Sequence, residues 1–273
     1  MHSERLEIRP LSPSIGAEIH GVDLSRRLEK DTYQELHRAL LTHKVIFFRD
    51  QDISQEQHVA FAKNFGDLEI HPFAPQAKIP ELLVIAHDEN NRGKENSWHS
   101  DVTWRLIPSL GSILRAIEVP EVGGDTLFAD MHAAYEGLGS SMKQALSGLT
   151  AIHDFSRVFG KGLPAAKLDE MKRKYPPAEH PVVRTHPETG EKSLYVNRAF
   201  TSHIIGMAPD ESEKLLDFLY SRASIPEYQC RFRWRKNSIA FWDNRAVQHY
   251  AVSDYFPHRR VMHRVTVIGD KPV

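Results

Sequence analysis

The apolar segments of this chain are short, closely spaced and only irregularly separated by helical stretches, and that feature restricts the fold more than any other. Val45-Ile46-Phe47-Phe48 and Leu82-Leu83-Val84-Ile85-Ala86 are compact runs of the buried-strand type. Further strand candidates lie at 6–8, 17–19, 112–118, 125–129, 182–185, 193–196, 229–234, 238–242, 247–252 and 260–268. A helical period runs over 31–43, with Tyr33, Leu36 and Leu40 on one face, over about 130–149 with a break near Gly137–Gly139, and over about 209–222. Ser54-x-x-Gln57 predicts a capping box, opening a helix with Val59, Ala62 and Phe65 inside and Gly66 as its stop. Strands and helices do not alternate regularly, so a Rossmann-like sheet is disfavoured, and there is no G-x-G-x-x-G or Walker A loop. The expectation is an α+β protein with a β-sandwich or jelly-roll core and flanking helices. A length of 273 residues suits one domain, 1–273. Residues 154–181, rich in Lys, Pro and Gly and without a clean period, read as a long surface excursion and a candidate lid.

Composition narrows the functional classes. A net charge of −1 gives no reason to expect a nucleic-acid or membrane-surface partner, though it permits a local basic pocket for a small anion. The lone Cys230 excludes an internal disulfide and a Cys-rich zinc site, and suits a cytoplasmic protein. Met1-His2-Ser3-Glu4-Arg5 is followed by no apolar h-region, and no apolar run approaches the roughly 20 residues that span a bilayer. Histidine is the outlier, at 16 copies, which directs attention to His/carboxylate metal chemistry.

Four segments carry the chemistry. In Trp98-His99-Ser100-Asp101, an extended backbone would put His99 and Asp101 on one face with Cα atoms ~6.5 Å apart, both able to reach one cation. They would be two ligands of a facial triad with open positions; on its own, His-x-Asp also fits a surface strand with an ion pair. Downstream, an aromatic strand ends at the turn Asp243-Asn244 and a second strand presents His249, alone as easily a buried hydrogen-bonded histidine as a ligand. In Arg260-Val261-Met262-His263-Arg264-Val265-Thr266, the two arginines share a face with Cα atoms ~13 Å apart, a spacing for two separate anions. The competing reading is an edge strand with its arginines in water. Gly123-Gly124-Asp125-Thr126 is a tight bend that offers the Thr126 hydroxyl to a carboxylate, or an ordinary glycine turn.

The order and spacing of these pieces resemble the taurine dioxygenase family of Fe(II)/2-oxoglutarate oxygenases. The resemblance takes in Leu11-x-Pro13-x-Ile15-Gly16, Phe65-Gly66-Asp67-Leu68-x-Ile70-His71-Pro72, Trp98-His99-Ser100-Asp101, Gly123-Gly124-Asp125-Thr126, His180-Pro181, Phe241-Trp242-Asp243-Asn244-Arg245, Gln248-His249-Tyr250 and Arg259-Arg260-Val261-Met262-His263-Arg264, nearly the whole chain. It implies a double-stranded β-helix, iron(II) on His99, Asp101 and His249, O2 as oxidant, and 2-oxoglutarate with its distal carboxylate on Thr126 and Arg260. It implies a small anionic substrate on His71, the Val102 N–H and Arg264, with Phe159 beside them, and a homo-oligomer (dimer or tetramer) by analogy. The pattern departs where family enzymes grip the amino group of taurine. A tyrosine is here Ala74, an asparagine is Glu95 and a serine is Val158. Glu95 could instead pair with a substrate ammonium. The resemblance therefore implies hydroxylation of taurine or another alkyl sulfonate, releasing sulfite and an aldehyde together with succinate and CO2. The alternatives are an alkyl sulfate ester, an aryloxy or other carboxylate, and, most distantly, a non-catalytic 2-oxoglutarate-binding jelly roll.

Overall fold

Val45, Phe47, Leu114, Ala116, Ala240, Trp242 and Met262 pack face to face with Phe128, Cys230, Phe232 and Val247, and this layer of side chains is the centre of the molecule. The computed structural model describes residues 6–72, 78–93 and 95–273; Met1–Arg5 and Ala74 lie outside them.

In chain order, β1 (Glu7–Pro10), β2 (Ala17–His20) and α1 (Lys30–His43) lead to β3 (Val45–Phe48), and α2 (Gln55–Ala62) to β4 (Leu82–His87). Then come β5 (Ser109–Glu118), β6 (Thr126–Asp130), α3 (Met131–Glu136), α4 (Ser140–Leu146) and β7 (Thr150–His153). A middle section holds α5 (Ala165–Lys174), β8 (Ala178–Pro181), β9 (Val183–Thr185), β10 (Lys192–Leu194), β11 (Thr201–Ile204) and α6 (Pro209–Ser221). The chain closes with β12 (Gln229–Phe232), β13 (Ile239–Asp243), β14 (Val247–Ala251) and β15 (Arg260–Ile268).

A seven-stranded sheet in the order β1-β2-β3-β13-β5-β15-β4 faces the three-stranded sheet β12-β6-β14. Pairing is antiparallel except between β2 and β3. The outer face of the large sheet carries Ile46, Phe48, Ile113, Phe241, Val265 and Val267, covered by Leu36 and Leu40 of α1 and Phe61 and Ala62 of α2. Coverage on both faces is why β3 is apolar at all of its four positions. The protein is thus mixed α and β with several antiparallel sheets.

Most expected elements form. The capping box is present: Ser54 Oγ accepts from the Gln57 N–H and Gln57 Oε1 accepts from the Ser54 N–H. α2 nevertheless stops at Ala62, before Gly66. The break at Gly137–Gly139 separates α3 from α4. The 154–181 segment is more regular than its sequence suggests. It holds a 3-10 turn at Phe155–Arg157, α5 and β8. Its apolar residues are sparse because only one side is covered: Phe155 and Met171, with Phe159, Leu168 and Tyr175, pack on Trp104 and Phe200. Among the described residues, no helix is long and apolar enough to cross a membrane.

Candidate active site

Three side chains from two distant stretches meet at the mouth of the facing sheets. His99 and His249 form an isolated antiparallel bridge, each N–H donating to the other's carbonyl (3.1 and 2.8 Å). Their rings lie 4.2 Å apart between centroids. The strand-like alternation expected through Trp98–Asp101 is not what brings Asp101 in. The chain leaves the extended conformation there and turns, with Val102 in the left-handed region at φ 46°. Asn244 fixes that turn: its Oδ1 accepts from the Asp101 N–H at 2.6 Å and its Nδ2 donates to the Asp101 carbonyl at 2.9 Å. Asp101 Oδ1 then lies 3.8 Å from His99 Nε2 and 4.0 Å from His249 Nε2, and the three ligand atoms fall within 4.8 Å of one another.

The protonation states suit a metal. His99 Nδ1 lies 2.7 Å from the Ser97 carbonyl, so Nδ1 carries a hydrogen and donates there while Nε2 is the nitrogen turned toward Asp101. Burial, and then the neighbouring His99, push His249 down to about 3, so it is neutral near pH 7. Its ring is held by Trp242 and Phe128, with centroids 4.7 and 6.3 Å away. Burial opposes charge on Asp101, but Arg264, His249, His99 and the Ser112 hydroxyl outweigh it and hold the carboxyl well below the usual carboxylate range. Ser112 Oγ donates to Asp101 Oδ2 at 2.7 Å, and Arg264 Nη1 donates to Oδ1 at 3.0 Å. Two imidazoles, that of His249 neutral, and one ionised carboxylate are a fitting donor set for a divalent ion.

β15 carries the two arginines as the alternation predicts. Met262 enters the layer between the sheets, whereas Val265 and Val267 face the helices. Arg260 is 5% exposed, and its Nε has no hydrogen-bond partner among the described residues. Among the described residues it forms no ion pair. Its guanidinium lies 5.7 Å from the centre of the Tyr255 ring. Gly124, at φ +71°, lets it pass, since a Cβ there would come within 3.2 Å of Arg260 Cδ and of the Tyr255 ring. The buried Thr126 Oγ1 accepts from Trp234 Nε1 at 2.9 Å, which leaves its own hydrogen for another acceptor.

His71 stands edge-on to Phe159, with ring centroids 5.7 Å apart, and Phe159 stacks on Phe200 at 6.1 Å. Burial first, and then Arg264, push His71 down to about 4. No hydrogen bond is formed by the Val102 N–H among the described residues. Glu95 lies elsewhere. Its carboxylate is 3.3 Å from His87 Nε2, and His87 sits opposite Arg260 in the β4–β15 register. Glu95 therefore belongs to the Arg260 end of the strand, away from His71 and Arg264.

Several contributors escape sequence reading. Asn244 was legible only as a turn residue, and Ser112 only as the first residue of a strand candidate. Phe200 joins the aromatic wall from a loop with no pattern of its own, its ring 6.3 Å from that of His99. Glu69 and Arg105 pair at 2.8 Å behind the site.

The family model described as taurine catabolism dioxygenase TauD, TfdA family, matches residues 7–266. The chain belongs to this family. It is an α-ketoglutarate-dependent dioxygenase, an oxidoreductase. It is 38% identical to an alkylsulfatase of Acinetobacter baylyi, over 98% of this chain and 86% of the relative. It is 36% identical to an alpha-ketoglutarate-dependent sulfate ester dioxygenase of Pseudomonas putida, over 100% and 92%. Among solved structures, a taurine dioxygenase from Burkholderia xenovorans is 40% identical, with 98% and 91% covered and a TM-score of 0.85. AAD-2 in complex with Mn(II) and N-oxalylglycine is 33% identical, with 98% and 99% covered and a TM-score of 0.85. For a TauD-family dioxygenase, His99, Asp101 and His249 are the metal-binding facial triad.

Proposed function

We propose that the metal is iron(II), and that the enzyme hydroxylates the carbon next to the anionic head of a small alkyl sulfate ester or alkyl sulfonate. We read 1–273 as one oxygenase domain whose two facing sheets are a double-stranded β-helix. Bound iron(II), with 2-oxoglutarate and O2, supplies oxidative decarboxylation to succinate and CO2 and the oxidising power for one C–H bond. The chain supplies placement. Arg260 is a buried cation in need of an anion, and with the Thr126 hydroxyl it holds the distal carboxylate of 2-oxoglutarate. Arg264, the neutral His71 and the Val102 N–H hold the substrate head, and Phe159, Phe200 and Trp104 wall its carbon chain. Two anchored anions fix which C–H bond faces the metal position. Hydroxylation of the carbon bearing a sulfate ester gives an adduct that collapses to an aldehyde and hydrogen sulfate. The same step on a sulfonate expels sulfite.

The observation that carries this reading is a guanidinium and a neutral imidazole set against an aromatic wall. That pairing suits an anionic head on an apolar tail. The sulfate ester takes precedence over taurine because the Glu95 carboxylate, the group available for an ammonium, is engaged with His87. The relatives that act on sulfate esters support the same order. The same wall would accept an aryloxy carboxylate, the second reading. A panel of alkyl sulfates, alkyl sulfonates including taurine, and aryloxy carboxylates, read out by succinate, sulfate and sulfite, separates them. We expect succinate with equimolar sulfate from alkyl sulfates. Turnover of taurine alone would reverse the preference, and binding of 2-oxoglutarate without CO2 release on any substrate would make the protein non-catalytic.

A further inference from the structure

Arg264 touches both halves of the site. Its Nη1 donates at 3.0 Å to Asp101 Oδ1, the oxygen that faces the two imidazole Nε2 atoms, while Ser112 holds the other oxygen at 2.7 Å. Its Nε has no hydrogen-bond partner among the described residues, and its charge is felt by His71 and Glu69. A guanidinium so placed draws on the same carboxylate charge that a divalent ion needs, and it puts a like charge beside that ion.

We propose that Arg264 is a positioning residue that couples the two sites: it weakens metal binding at Asp101 until an anion lies against it, and the anion then strengthens metal binding. The inference rests on the reading of Arg264 as the anion clamp. Such coupling is reciprocal, so metal must tighten anion binding by the same factor. Arg260 cannot play this part, because no metal ligand is among its contacts. A purely structural Arg264, present only to orient Asp101, predicts the opposite sign: its removal would loosen the metal.

The test titrates the metal-free, full-length protein with Mn2+, following free Mn2+ by electron paramagnetic resonance, with and without inorganic sulfate. In the wild type, sulfate should lower the Mn2+ Kd by about fivefold or more, the lower range of site-to-site coupling. Sulfate that merely complexed Mn2+ in solution would raise the apparent Kd. Without sulfate, Arg264→Met should bind Mn2+ more tightly than the wild type, and sulfate should no longer change it. His71→Ala should keep the wild-type Kd without sulfate and lose part of the sulfate response. Ser112→Ala should bind Mn2+ more weakly and keep the response. An unchanged wild-type Kd on adding sulfate, a comparison that needs no variant, overturns the coupling. So does Arg264→Met binding Mn2+ no better than the wild type. Absence of any Mn2+ binding by the wild type would instead remove the metal assignment itself.

Discussion

Arg260 and Arg264 leave the same face of β15, one helical-sized step of sequence apart, yet the protein treats them differently. Arg260 is buried against Tyr255 with no acidic partner among the described residues. Arg264 is engaged with Asp101 and stands near Glu69 and His71. Burial lowers the pKa of Arg260, with Tyr255 and Glu95 acting the other way. A cation kept at that cost with no ion pair among the described residues is what we propose as the binding group for the 2-oxoglutarate carboxylate. A cation shared with a metal ligand is what we propose as the substrate clamp, one whose strength would depend on the metal. The lesson is that periodicity gives a side chain its face, whereas its partners give it a role.

The sharpest way to break the comparison is to remove each arginine in turn. Arg260→Met should raise the KM for 2-oxoglutarate by about thirtyfold or more, by analogy with the roughly 2–5 kcal/mol lost on truncating one member of a buried charge pair. It should leave the KM of the organic anion nearly unchanged. Arg264→Met should do the reverse. Steady-state kinetics with each cosubstrate varied decides it, and swapped or identical effects would erase the distinction.

Stability should split the same two variants. Arg264→Met leaves the Asp101 charge buried with only Ser112 and the imidazoles around it, a loss of about 3 kcal/mol in the metal-free protein. Arg260→Met removes a buried charge that has no ion-pair partner among the described residues and should be neutral or stabilising. Urea unfolding of the metal-free variants measures both.

The pH dependence is smaller and separates scaffold from site. His58 is fully buried, with Nε2 3.1 Å from the Ile113 carbonyl, and burial pushes it down to about 3. The unfolded chain binds that proton near pH 6.5 and the folded one does not, so stability rises with pH through this window. Its contribution is present above 6.5 and is lost as the pH falls toward 3, at up to about 1.4 kcal/mol per pH unit. His58→Gln should flatten the profile of Tm between pH 6.5 and 5 without moving either KM.

The smallest effect is expected from Glu95→Gln. Its carboxylate lies at the Arg260 end, so turnover of an alkyl sulfate should change less than about twofold, an ordinary effect for a half-exposed ion pair. A specific loss of taurine turnover would return Glu95 to the substrate side.

Much of this was legible in the sequence because it rests on local pattern. The β3 run, the capping box at Ser54 and the alternation along β15 follow from periods that need no partner. His99, Asp101 and His249 were identifiable by residue type and order. Their convergence was only partly so, since a bridge to His249 and a turn locked by Asn244 replace the continuous strand that His-x-Asp suggested. The order within 154–181 was hidden because its helix is covered on one side only, by residues far away in sequence. Glu95 sits in a polar loop whose sequence says nothing of its contact with His87, and its part in substrate binding is what Glu95→Gln decides.

We propose that His99, Asp101 and His249 hold one iron ion that drives 2-oxoglutarate turnover. The most direct test measures succinate formed with iron(II), 2-oxoglutarate and an alkyl sulfate by the wild type and by Asp101→Ala, each shown to be folded by circular dichroism. We predict iron-dependent succinate from the wild type and none above background from a folded Asp101→Ala. Near-normal succinate from that variant would contradict the account.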